Sequence, residues 1–157
     1  AVNTPFKETA DEAIEHISKE SSFIQILHNA KLEEVRKETL SHIDDIKVLI
    51  EIIKENEDTE FSLKALNKID DEDILLKVYG ANIAEELSVR AVSKVKTQKP
   101  LIELIKNEPS WRIREAAVKN ISNKKVLKEV AAGDESEYVR SVAKNSFSVC
   151  KNPTFSE

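Results

Sequence analysis

The sequence predicts an all-α chain: a right-handed α-solenoid of short antiparallel helix pairs with a 26-residue repeat. Three observations predict it. Apolar residues return in fixed columns every 26 residues, they fall at i, i+3 and i+4 within each group, and only two glycines stand against 34% charged residues. The three-and-four spacing belongs to an amphipathic helix rather than to the alternation of a strand. Few glycines and many charges suit helices joined by tight polar turns.

The columns start from the anchors Val35, Phe61, Leu87, Ile113 and Val139, each 26 residues after the last. Four places on stands a small residue: Thr39, Ala65, Ala91, Ala117, Ala143. One place further come Leu40, Leu66, Val92, Val118 and then Lys144, and eight after the anchor Ile43, Ile69, Val95, Ile121, Phe147. Extended back by 26, the register meets Thr9, Ala13, Ile14 and Ile17. A second apolar group begins at Phe23, Leu49, Leu75, Leu101 and Leu127. Each unit is thus two short helices, neither able to bury its apolar face alone, and stacking the units makes one continuous core. The small column marks where neighbouring helices approach closely.

In order, residues 1–8 form a lead-in, with Thr4-Pro5 favouring a turn, and a single repeat domain runs over 9–148. The first helix covers 9–18, and Ser21 or Ser22 caps the next. Helix pairs follow at about 33–43 and 46–54, 60–69 and 72–81, 85–96 and 99–106, 111–121 and 124–132, with a last helix over 137–148. Asp44-Asp45, Asp70-Asp71-Glu72-Asp73 and Asn123 sit at helix starts, where short polar groups accept from free amides. Ser110 and Ser136 are expected N-caps. Lys144 stands in a column that is otherwise Leu or Val, as fits a terminal unit with a solvated outer face. Residues 149–157, with Cys150 and Pro153, read as a tail.

Net charge is −5, unevenly placed: residues 1–78 hold 10 Lys+Arg against 19 Asp+Glu, and 79–157 hold 14 against 10. No apolar run reaches the ~20 residues that span a bilayer, and the N-terminus lacks the pattern of a signal peptide. One cysteine excludes an intramolecular disulfide framework. The expectation is a soluble, cytoplasmic protein with no membrane partner. Two glycines make a phosphate-cradling loop untenable, and no nucleophile elbow or cysteine–histidine cluster is present.

Asp134…Val139-Arg140…Ala143 and Glu108…Ile113-Arg114…Ala117 resemble the HEAT repeat, in particular the short phycobilisome-lyase type, over about residues 9–147. The resemblance implies that the acid of the turn pairs with the Arg six places on, as Asp134–Arg140 and Glu108–Arg114. It also implies that the anchor helix lines a concave face. Arg36 occupies the same column, but Ser62 and Ser88 replace it elsewhere.

Opposite the core, three and seven places after the anchors, stand Glu12/His16, Glu38/His42, Lys64/Lys68, Arg90/Lys94, Ala116/Asn120 and Val142/Ser146. Lys64, Lys68, Arg90 and Lys94 form a basic quartet suited to an acidic protein segment. Glu12, His16, Glu38 and His42 offer a carboxylate–imidazole set for zinc or iron, against the simpler reading of helix-stabilising i, i+4 pairs. The adjacent His-Glu motif of HEAT-like deoxyhypusine hydroxylases has no counterpart. Trp111 between turn and helix is expected to pack against its neighbour. At pI 5.4, duplex nucleic acid lacks its electrostatic footprint.

The functional expectation is a non-enzymatic protein-interaction scaffold that needs no cofactor. The alternatives are a small HEAT-like metalloenzyme and a nucleic-acid-associated module.

Overall fold

In the computed structural model the described residues are 33–149, apart from 56, 57 and 82. Among them the regular elements are all α-helices: α1 Glu33–Ser41, α2 Ile46–Glu55, α3 Thr59–Asn67, α4 Glu72–Tyr79, α5 Glu85–Lys94, α6 Gln98–Asn107, α7 Trp111–Lys119, α8 Lys124–Gly133 and α9 Glu137–Val149. None of these is long and apolar enough to cross a membrane. The columns around Thr9 and Phe23, the caps Ser21 and Ser22, and Cys150 lie outside the described residues. The chain divides into two compact units, Ala1–Ile69 and Asp70–Glu157. The boundary falls in an acidic turn, not at a stretch that composition marks as a linker.

In the first unit, α2 packs on α3 around Leu49, Ile52, Ile53, Phe61 and Leu66, all buried. In the second, α4 lies against α5, α6 against α7 and α8 against α9, while α7 also touches both α5 and α9. The small column is the most deeply buried: Thr39, Ala65, Ala91, Ala117 and Ala143 are each 0% exposed. There, a methyl or a Thr side chain lets the flanking helix come close. Thr39 lowers its polarity by donating its hydroxyl to the Val35 carbonyl at 2.7 Å.

Asp58 and Asp71 cap α3 and α4 through Oδ1, which accepts from Phe61 N and Ile74 N at 3.1 Å. Asn123 caps α8 in the same way. Ser110 holds the N-cap position of α7, but its hydroxyl makes no cap bond; it donates instead to Glu85 Oε1 at 2.5 Å. Donation to a carboxylate is a charge-assisted bond, and it sets the direction of the Ser110 side chain. Ala116, assigned by spacing to the outward face, is buried at 4% exposure. Helix α7 has neighbours on several sides, so fewer of its faces meet water than a two-faced pattern implies.

Candidate interaction surface

The anchor helices end earlier than their apolar pattern suggests, and the ends of α1 and α5 are bound by side chains at the C-caps of α3 and α7. His42, Lys68 and Asn120 donate their amides three residues back, closing α1, α3 and α7 with a tighter turn. Carbonyls at the end of α1 are gathered by Lys68, the C-cap residue of α3. Its Nζ donates to Leu40 O at 3.0 Å, Ser41 O at 2.9 Å and Ile43 O at 2.5 Å, and pairs with Asp44 at 3.3 Å. In the second unit Lys94 pairs with Asp70 at 3.0 Å. Asn120 Nδ2 donates to Ser93 O at 2.7 Å and Val95 O at 2.8 Å, tying α7 to the end of α5.

Two more long polar residues tie turns together in the second unit. Glu72 accepts from the amides of Lys96 at 3.1 Å and Thr97 at 3.0 Å, capping α6 from outside where Thr97 supplies no cap of its own. The Thr97 side chain and amide, then Lys96, hold the Glu72 carboxyl below its ordinary range against a small opposing effect of burial. Gln98 accepts from Ser122 N at 2.9 Å and donates to Asn120 O at 3.0 Å.

An ammonium serving several carbonyls at a helix C-terminus also meets the negative end of the helix dipole. Lys68→Met, which keeps the stem and removes the charge, is expected to lower stability by about 1–2 kcal/mol. Urea unfolding followed by circular dichroism checks this. A loss no greater than that of an exposed control such as Lys47→Met would show that the bonds contribute nothing.

The Arg column carries the most buried polar contact. Arg114 and Asp134 form a two-pronged pair, Nε–Oδ2 and Nη2–Oδ1 both at 2.9 Å, with side chains 9% and 6% exposed. Nη1 of Arg114 donates to the Glu108 and Pro109 carbonyls at 2.9 and 2.8 Å. The acid–arginine pairing at six residues therefore takes another form. Arg114 receives the backbone of Glu108, and Arg140 that of Asp134, while the Asp134 carboxylate turns to the Arg twenty residues earlier. Arg114 presents a planar fork that takes both oxygens of the Asp134 carboxylate. Burial pushes the Asp134 carboxyl up, yet the Arg114 bonds, the Ser136 amide and the charges of Arg114 and Arg140 together hold it below its ordinary value.

Glu108, freed from that role, accepts from the Tyr79 hydroxyl and from Ser110 N. Burial, then the Glu108 carboxylate, pushes the Tyr79 phenol up to about 12. A raised native value favours the protonated form. The associated stability is therefore present below the unfolded-chain value near 10 and is lost as pH rises through about 12. Alkaline difference absorbance of wild type against Tyr79→Phe is expected to show one late-ionising phenol missing in the variant. Coincident titrations would contradict the buried hydrogen bond.

On one rim of the second unit the starts of α5, α7 and α9 carry aromatic and charged groups. Trp111 stacks on Tyr138 with centroids 5.0 Å apart and planes 22° from parallel. The Arg112 guanidinium lies 4.8 Å over the Trp111 ring and pairs with Glu85 at 3.3 Å. Trp111 does pack against a neighbouring helix, as its position implied, and Tyr138 is left 68% exposed.

The basic quartet divides between the units. Lys64 is on α3 and Lys68 at its C-cap in the first, Arg90 and Lys94 on α5 in the second. Lys64 pairs with Glu60 at 2.8 Å, and Lys68 and Lys94 are committed to the contacts above. Glu38 and His42 form an i, i+4 pair at 3.4 Å on α1, while Glu12 and His16 lie outside the described residues. Among the described residues, no group of three or more potential ligands gathers for a metal ion. Sequence reasoning missed Arg112 with Tyr138 as a surface and Glu72, Gln98 and Asn120 as ties. The ties had a signal, since Glu72/Gln98 and Lys68/Lys94/Asn120 each recur at 26. The surface had only a positional one: Arg112 and Tyr138 are also 26 apart, but their residue types differ.

No protein-family model, no curated protein and no solved structure matches this chain.

Proposed function

We propose that the chain is a HEAT-like, right-handed α-solenoid with a 26-residue repeat, and that it acts as a non-enzymatic scaffold binding a protein partner. The equivalence of contacts 26 residues apart supports the architecture. Lys68–Asp44 and Lys94–Asp70 are one contact displaced by a repeat, and so are the carbonyl bonds of Arg114 and Arg140. Scaffold function rests on the rim of Arg112, Trp111 and Tyr138. A 68% exposed tyrosine held by a stacked tryptophan and a paired arginine is a pre-ordered patch of the residue types that dominate interface energetics. Its rigidity lowers the entropy lost on binding.

The test is affinity capture from nuclease-treated lysate, comparing wild type with Arg112→Ala/Tyr138→Ala, with elemental analysis of the bait. A stoichiometric protein partner is expected, weakened roughly thirtyfold or more by the double variant, as for loss of hot-spot residues. Capture that needs nucleic acid, capture indifferent to the substitutions, or stoichiometric zinc or iron would overturn the reading.

A further inference from the structure

Arg36, Arg114 and Arg140 share one column of the repeat, and two of them reach forward to an acid in the next turn. Arg36 pairs with Asp58 at 3.3 Å in the first unit, and Arg114 with Asp134 in the second. Arg140 reproduces the rear half of the Arg114 contact: its Nη1 donates to Asp134 O at 2.6 Å and Glu135 O at 3.0 Å. Its Nε and Nη2, the edge with which Arg114 grips a carboxylate, meet no acceptor among the described residues. A guanidinium is planar, so fixing Nη1 fixes the direction of the remaining donors. Arg140 therefore presents a fork already aimed.

The surroundings agree with that reading. Lys144 and Phe147 follow Arg140 at i+4 and i+7, on the same face of α9. Lys144 is exposed, whereas Leu40, Leu66, Val92 and Val118 in its column are buried. Beside it a cavity of about 280 Å³ is lined by Lys128, Ala131, Ala132, Lys144, Phe147 and Ser148. The lining combines alanine and phenylalanine with two lysines, and Lys128 Nζ lies 5.2 Å over the Phe147 ring.

Resting on the scaffold reading, we infer that this face of α9 docks an acidic turn of a partner protein. One carboxylate enters the Arg140 fork as Asp134 enters that of Arg114. An apolar side chain fills the notch at Phe147, and Lys128 and Lys144 supply the complementary charge.

The probe is a synthetic peptide with the sequence of Val130–Tyr138, which contains the acid that Arg114 binds. It is titrated into the full chain while the arginine Nε–H and amide NMR signals are followed. A saturable shift is expected at Arg140 Nε and around Lys144. It should weaken at least tenfold when the acid corresponding to Asp134 is replaced by Asn in the peptide, and likewise in Arg140→Gln. Lys144→Glu, which disturbs no side-chain contact seen in the structure, is expected to weaken it as well and guards against misfolding of the arginine variant. An unmoved Arg140 signal, equal shifts with the Asn peptide, or occupation of the face by a second copy or by residues 150–157 would overturn the inference. Rim-dependent capture persisting in Lys144→Glu alongside such a result would leave the scaffold reading standing and remove only this site.

Discussion

Arg114→Ala is expected to be the most damaging single substitution among the polar residues, lowering stability by about 3–5 kcal/mol. The guanidinium and the Asp134 carboxylate are almost wholly withdrawn from water. Removing one leaves the other buried without its counter-charge, and it also strips the Glu108 and Pro109 carbonyls of their donor. Asp134→Ala is expected to fall in the same range. The double variant Arg114→Met/Asp134→Leu should recover much of the loss, since an apolar pair of similar volume needs no desolvated partner. Urea unfolding read by both circular dichroism and Trp111 fluorescence measures this, with coincident transitions required before a single free energy is assigned. A loss under about 1 kcal/mol would place the pair in the class of solvated surface bridges.

The same pair sets an acid dependence. Because the native Asp134 value is lowered, its stabilisation is complete above the unfolded-chain value near 4 and disappears as pH falls through the native one. Wild type is expected to lose stability more steeply than Asp134→Asn over that window. Parallel curves would contradict the assignment.

Ala91→Leu is the second large effect expected, a destabilisation of about 1–3 kcal/mol from adding volume where none is vacant. Ala91 is 0% exposed on α5, which contacts α4 and α7. The added branch must displace a helix or adopt a poor rotamer. Ser93→Leu, on the same helix but less buried, serves as the control for composition. Equal effects at the two positions would refute the close-approach account of the small column.

Helix number, order and starts over 33–149 were legible because the apolar columns are strong and because Asp71 and Asn123 mark starts with local chemistry, whereas the anchor helices stop about two residues short of their apolar pattern. A local pattern cannot say where a long polar side chain ends. Lys68 and Lys94 read as outward from helical spacing, yet each folds back about one repeat to meet the preceding turn. For Lys68 that choice depends on carbonyls at the end of an earlier helix, which come within reach of its ammonium only once the two helices are side by side. Asp134 illustrates the same limit, since its nearest arginine in sequence is not the one that takes its carboxylate. In the rim of Arg112, Trp111 and Tyr138, Arg112 and Tyr138 share a repeat column but differ in residue type, so the column did not announce the surface.

The sequence by itself thus determined the all-α class, the succession of short helices and the buried small column, because these follow from 3.6-residue periodicity and side-chain volume. Only the tertiary structure decided the partners of Lys68, Lys94 and Arg114: a charged group takes the nearest well-aimed complement in space, and for these three it lies about twenty or more residues away in sequence.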